Sequence, residues 1–274
     1  MSEKLRLGVF VGLGKEPEEE LRKVRDLGLP TCQVGCWNPD LYTEEAAKGL
    51  LKACEKFTVE VTAIWTGYPG PAVWNFVDGP STIGLVPPEW RAVRVQALKK
   101  GADFAKRVGV PDTITHAGFI PENPKDPLYE GTVAALKEVA EHCLSLRLHF
   151  CFETGQETPV TLLRVFEDIG TGNLGVNLDP ANLLMYGKAN PVDALDLIGK
   201  YVRGVHAKDG EYPTNGRELG HERPLGEGRV NFPVLVPKLK SLGYHGALTV
   251  EREISGEQQV HDIKKAVHIL APLC

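Results

Sequence analysis

Eight short runs of apolar, β-branched or aromatic residues alternate strictly with eight amphipathic stretches along this chain. The strand-like runs fall near 5–11, 31–35, 58–65, 112–116, 148–153, 174–179, 202–207 and 246–252. The helix-like stretches fall near 16–28, 43–57, 89–109, 128–147, 159–170, 191–200, 232–242 and 258–271. Such alternation implies βαβ units and a parallel sheet. Eight units in 274 residues suit a closed barrel better than an open sheet. The expectation is a chain of the α/β class forming one (β/α)8 barrel over 1–274, with its active face at the C-terminal mouth of the strands. Local signals agree. Thr43 ahead of Glu44 and Glu45 offers an N-cap with acidic first-turn residues. Pro159 and Pro191 suit first turns, and Gly109, Gly199 and Gly243 suit helix ends.

Two connections are long: 67–88, rich in Pro and Gly, and 209–231. Both follow strands, so both belong to the mouth of the barrel, where long loops act as lids or binding loops. The net charge of −5 argues against a nucleic-acid surface. No apolar run is long enough for a membrane span, and no signal peptide is visible at the N-terminus. Six cysteines without a CxxC pair read as buried thiols of a cytoplasmic protein. "GLGK" at 12–15 follows the first strand but lacks the remaining residues of a phosphate loop, with Val9 and Glu16 in their places.

The chemistry gathers at four strand ends. "LHFCFE", "LGVNLD", "VRGVH" and "GALTVE" close on Glu153, Asp179, His206 and Glu251. The last residues of barrel strands project toward the axis, so these four side chains converge if the runs are neighbouring strands. Three carboxylates and one imidazole suit one divalent ion, Mn²⁺ first, with Mg²⁺, Co²⁺ or Zn²⁺ as alternatives. His116, ending the fourth strand in "TITHAG", lies near the same mouth, and Lys208 in "HAKD" points there too. Trp37 and Trp65, at the ends of the second and third strands, could stack on the C–H face of a sugar, and Gln33 could contact substrate. Trp74 and Phe76 fit loop packing equally well.

The motifs "FETGQET", "NLDPANLLMYGKANP", "VRGVHAKDGEYP", "PLGEGRVNF" and "LTVEREISG" resemble the sugar isomerase/epimerase group of xylose-isomerase-like TIM barrels. That superfamily also holds endonuclease IV, inosose dehydratase and the ketose 3-epimerases. The resemblance covers the whole chain and is strongest from about 148 to 270. It places the family's metal set on Glu153, Asp179, His206 and Glu251. It implies that Glu153 and Glu251 also carry protons, as in the ketose 3-epimerases. It further implies substrate contacts from Arg223, with Arg217 and Arg229 as rivals, and from Glu157. Asn182 in "DPAN" departs from the histidine usual in the 3-epimerases, which weakens that particular activity while leaving an amide able to bond a hydroxyl.

The implied reaction is a metal-assisted isomerisation or epimerisation of a sugar or sugar phosphate through a cis-enediolate. One carboxylate removes the proton beside a carbonyl and a second, on the opposite face, returns one. Lys208 with Arg223 could equally hold a phosphate. A lyase or dehydratase acting on a keto-polyol or keto-glycoside is the alternative on the same ligands. An abasic-site endonuclease fits poorly, since only His116 and His206 occupy strand ends and the chain is acidic. A non-catalytic sugar-binding barrel is disfavoured by the intact ligand set. Such barrels often form dimers or tetramers, and a homo-oligomer is compatible with the sequence.

Overall fold

The computed structural model describes residues 4–274. The strands are β1 (Arg6–Gly12), β2 (Thr31–Cys36), β3 (Glu60–Thr66), β4 (Asp112–Thr115), β5 (His149–Glu153), β6 (Leu174–Leu178), β7 (Val202–Ala207), β8 (Asp209–Gly210), β9 (Glu222–Arg223) and β10 (Ala247–Val250). The helices are α1 (Pro17–Asp26), α2 (Glu44–Phe57), α3 (Gly79–Thr82), α4 (Pro88–Val108), α5 (Tyr129–Ser145), α6 (Pro159–Ile169), α7 (Pro180–Met185), α8 (Pro191–Ile198), α9 (Phe232–Ser241) and α10 (Glu257–Leu270). Strands β1 to β7 follow one another around a closed barrel, and β10 completes it between β7 and β1. Every barrel pairing is parallel. The (β/α)8 barrel expected from the alternation is therefore the fold. The sequence pattern did not contain α3, α7 or the two-residue antiparallel pair β8/β9. These elements are too short to carry a periodicity.

The expected helix starts hold. Thr43 accepts from the amide of Ala46 at 3.1 Å. Thr158 ahead of Pro159 and Asn190 ahead of Pro191 cap α6 and α8 in the same way. Gly109 closes α4 with φ 78°. Gly199 differs: its φ of −58° is right-handed, and the chain runs on through a 3-10 turn into β7. Close packing accounts for the glycine there, because a Cβ would lie 2.5 Å from the Leu242 side chain.

Strand periodicity sorts the side chains. Phe150, Phe152, Leu248 and Val250 face outward into the core shared with the helices. Their neighbours therefore face the axis. Within the barrel, Ala63, Trp65, Ile114 and Cys151 form a small apolar plug with Phe10 against it. Above that plug the period-two rule brings Glu153 and Glu251 inward.

Each long loop at the mouth is tied down by one buried charge. After β3, the loop 67–87 wraps the fully buried Arg94 of α4. Its guanidinium donates to the carbonyls of Pro69 at 3.1 Å, Gly84 at 2.7 Å and Pro71 at 2.7 Å, beneath the Tyr68 ring at 4.5 Å. After β7, the buried Asp209 accepts from the amides of Gly210 at 2.9 Å, Gly226 at 2.9 Å, Gly228 at 3.1 Å and Val230 at 3.1 Å. A Cβ on Gly228 would sit 2.1 Å from the Asp209 carboxylate, so only glycine lets the backbone come this close.

Candidate metal centre

Glu153 ends β5, Asp179 follows β6, His206 lies near the end of β7 and Glu251 follows β10. One ligand atom from each of the four lies within 4.8 Å of the other three. The set expected from strand ends is thus brought together. Local chemistry fixes each member. Asp179 is the N-cap of α7, where one carboxylate oxygen accepts from the Asn182 amide at 2.8 Å. Its backbone N–H donates to Thr154 Oγ1 at 2.8 Å, and the Thr154 hydroxyl donates to its carbonyl at 2.9 Å. The other carboxylate oxygen, Oδ2, is buried and has no hydrogen-bond partner. Glu153 accepts from Trp65 Nε1 on Oε2, with His116 Nε2 3.5 Å from the same oxygen.

His206 is oriented from below. Its Nε2 lies 2.7 Å from Gln33 Oε1, and Gln33 Nε2 donates in turn to Asn177 Oδ1 at 3.0 Å. Since the Gln33 oxygen only accepts, Nε2 carries a proton and Nδ1 is left for the ion. Nδ1 faces Glu153 at 3.0 Å and Glu251 at 3.2 Å. Gly204 makes room for this relay, because a Cβ there would meet Asn177 Oδ1 at 2.4 Å.

The electrostatics are those of an acidic pocket concentrated by burial. Burial raises the Asp179 carboxyl to about 8, against the pull of the Lys208 ammonium. Burial works against charge on His206 as well, but the Glu251 and Glu153 carboxylates hold its pKa well above the ordinary value. Glu251 is lowered: His206 and Lys208 overcome its desolvation. A buried carboxylate oxygen that accepts no hydrogen bond, beside two further carboxylates and an imidazole, fits a hard divalent cation, which would replace the protons as counter-charge.

Lys208 is buried behind the ligands, 3.5 Å from Asp179, 3.4 Å from Glu251 and 2.9 Å from Glu253. It also donates to Asn182 Oδ1 at 3.2 Å, while Asn182 Nδ2 lies 3.5 Å from Glu153. The amide thus bridges the lysine and a ligand. Above the centre opens a cavity of about 500 Å³. Its wall includes Trp37, Trp65, Trp74, His116, Asn182 and Gln156. Four of the seven substrate-contact candidates, Trp37, Trp65, His116 and Asn182, therefore line it. Lys208 stands behind the wall.

The structure does not bring Arg223 or Glu157 to the cavity. Arg223 is exposed on β9, where the Glu211 carboxylate, just past β8, holds its guanidinium at 2.8 Å. Glu157 is buried beside the wall, and Gln156 takes the cavity position, one residue earlier in the turn into α6. Burial pushes the Glu157 carboxyl up to about 8. Three residues that matter were passed over in the sequence. Arg252, one residue past Glu251, is on the cavity wall. Arg94 and Asp209 anchor the loops. Asp209 had a usable signal, an aspartate just past the seventh strand run in a loop that later carries the glycine-rich "LGEG", whereas Arg94 looked like any helix arginine.

A parallel barrel with buried carboxylates and an imidazole at its C-terminal mouth defines a barrel with a candidate catalytic metal centre. The chain belongs to the xylose isomerase-like TIM barrel family, whose model matches residues 21–273. It is similar to a xylose isomerase domain protein of Planctomyces limnophilus of known structure, at 36% identity and a TM-score of 0.92, covering 98% of this chain and 97% of that one. It is 27% identical to an uncharacterised protein of Methanocaldococcus jannaschii, over 97% of this chain and 88% of that protein. The E. coli 3-keto-D-glucoside 4-epimerase has the same fold, with a TM-score of 0.72 at 14% identity over 98% of this chain and 100% of that one. Among the described residues no helix is long and apolar enough to cross a membrane.

Proposed function

We propose that this protein is a divalent-metal-dependent isomerase or epimerase of a small sugar, working by proton transfer at the carbon beside a carbonyl. One observation carries the reading. Glu153 and Glu251 both line the cavity, and both reach His206 Nδ1, so two carboxylates of the ligand set also face substrate. The sugar 4-epimerase of the same fold supports it.

Glu153, Asp179, His206 and Glu251 would hold the ion, with Mn²⁺ the leading candidate. When bound, it supplies Lewis-acid stabilisation of negative charge on the carbonyl and neighbouring hydroxyl oxygens of the sugar. The chain does the rest. One of Glu153 and Glu251 removes the proton and the other returns one, on the opposite face for epimerisation. Trp65 and His116 keep the Glu153 carboxylate turned toward the cavity. Trp37 and Trp74, with ring centroids 6.1 Å apart, form an apolar wall that excludes water and can stack on sugar C–H bonds.

The test is exchange of solvent deuterium into the carbon beside the carbonyl, across a panel of free ketoses. Glu153→Gln or Glu251→Gln should lower exchange by at least about 100-fold. Full exchange after exhaustive chelation overturns the metal mechanism. A lyase or dehydratase is the second reading, favoured by His116. Its Nδ1 has no hydrogen-bond partner and its pKa is lowered by burial, so a neutral imidazole faces the cavity beside Glu153. Loss of water or an aglycone from the product mass would select it.

A further inference from the structure

The loop after the seventh barrel strand has a second property. Barrels that bind phosphorylated substrates frequently hold the phosphate on backbone amides of the loops after the seventh and eighth strands. Convergent backbone N–H groups make an anion nest. Here the nest exists and its anion is built in. The amides of Gly226, Gly228 and Val230 all point at the Asp209 carboxylate, at 2.9, 3.1 and 3.1 Å, and Gly210 adds a fourth donor at 2.9 Å. Asp209 is only 2% exposed, so solvent phosphate has no path to these donors.

The cavity offers no substitute. Among the described residues its wall carries one guanidinium or ammonium group, Arg252. That group is already paired with Glu222 at 2.8 Å and Asp262 at 2.8 Å. Lys208 is enclosed by Asp179, Glu251 and Glu253, and Arg223 is taken by Glu211. Glu153, Glu251 and Glu253 all face the cavity, so a dianion entering it meets carboxylates and no unpaired cation. A divalent ion would offset two of the three carboxylate charges at the ligands and leave one, with Lys208 shared among Asp179, Glu251 and Glu253.

We infer that the substrate is an uncharged polyhydroxylated compound, and that its phosphate esters are excluded by the occupied nest and the acidic wall. The inference rests on the isomerase reading for the word substrate, but the exclusion of phosphate is a property of the site itself. The volume agrees: about 500 Å³ exceeds what a single monosaccharide fills and leaves room for an uncharged substituent along the tryptophan wall.

The experiment uses the magnesium-loaded protein. It is titrated calorimetrically with inorganic phosphate, and assayed for deuterium exchange with pairs such as D-fructose and D-fructose 6-phosphate or D-ribulose and D-ribulose 5-phosphate. The expected result is no saturable phosphate binding at millimolar concentration. Within any pair that exchanges, the free sugar should lead by at least about tenfold. Saturable phosphate binding, or faster exchange of an ester than of its free sugar, overturns the inference while leaving the isomerase reading intact. Absence of exchange with every sugar counts against the isomerase reading, and the phosphate titration then decides this inference alone.

Discussion

The loops after β3 and β7 solve one problem with opposite charges. Loop 67–87 turns three carbonyls inward onto the Arg94 guanidinium. The loop that follows Lys208 turns four amides inward onto the Asp209 carboxylate. Each anchor leaves the cavity side of its loop free to carry wall residues, Trp74 from the first and Leu219 from the second. The two differ in what they forgo. Inward carbonyls could never have held an anion, so Arg94 costs the site no recognition. Inward amides could, and Asp209 gives that up. A long loop at a barrel mouth can therefore be ordered by its own buried charge or by a ligand's, and here both are ordered internally.

The comparison can be broken first at Asp209. Asp209→Ala should lower stability by about 4 kcal/mol, read from the denaturant midpoint, because it orphans four amides and removes charge-assisted bonds. Arg94→Met should cost less, about 3 kcal/mol, since buried carbonyls tolerate under-satisfaction better than buried N–H groups. Limited proteolysis should cut the first variant within 209–231 and the second within 67–87. A reversed order of stabilities, or cleavage at the other loop, would undo the comparison.

Two smaller effects show whether the anchors act on the loops or on the metal centre. Gln33→Leu should weaken manganese binding by about tenfold, because the His206 tautomer loses its acceptor. Neither anchor variant should shift that affinity comparably. Manganese affinity should rise as pH increases through about 8, since the proton on Asp179, at about 8, must leave before the ligands bind, and the proton on His206, held well above its usual pKa, opposes binding in the same direction. Calorimetry in buffers of different ionisation enthalpy should show proton release on binding, with the same slope in wild type and both anchor variants. The smallest effect is expected from Trp74→Ala, which should change apparent sugar affinity by less than about 1 kcal/mol and leave metal binding unchanged.

Much of this was legible in the chain. The four ligands could be found because each depends on one local fact, the last position of an apolar run. Thr43, Pro159 and Gly109 mark helix boundaries for equally local reasons. Gly199 looked the same in sequence but serves packing against Leu242, a contact from the C-cap of another helix. Gln156 and Glu157 differ by one position in a turn, and no periodicity fixes the phase of a turn. Arg223 had the right chemistry, but the antiparallel pairing of β8 and β9 gave it to Glu211.

By itself, the sequence determined the eightfold alternation, the closed barrel and the strand-end quartet, because strand and helix periods and the direction of strand termini are local properties of the backbone. The tertiary structure alone decided which charges are consumed and which remain to meet a ligand. Pairings such as Asp209 with Gly228 or Arg252 with Asp262 depend on loop paths through space, and those paths are set by the packing of the whole barrel.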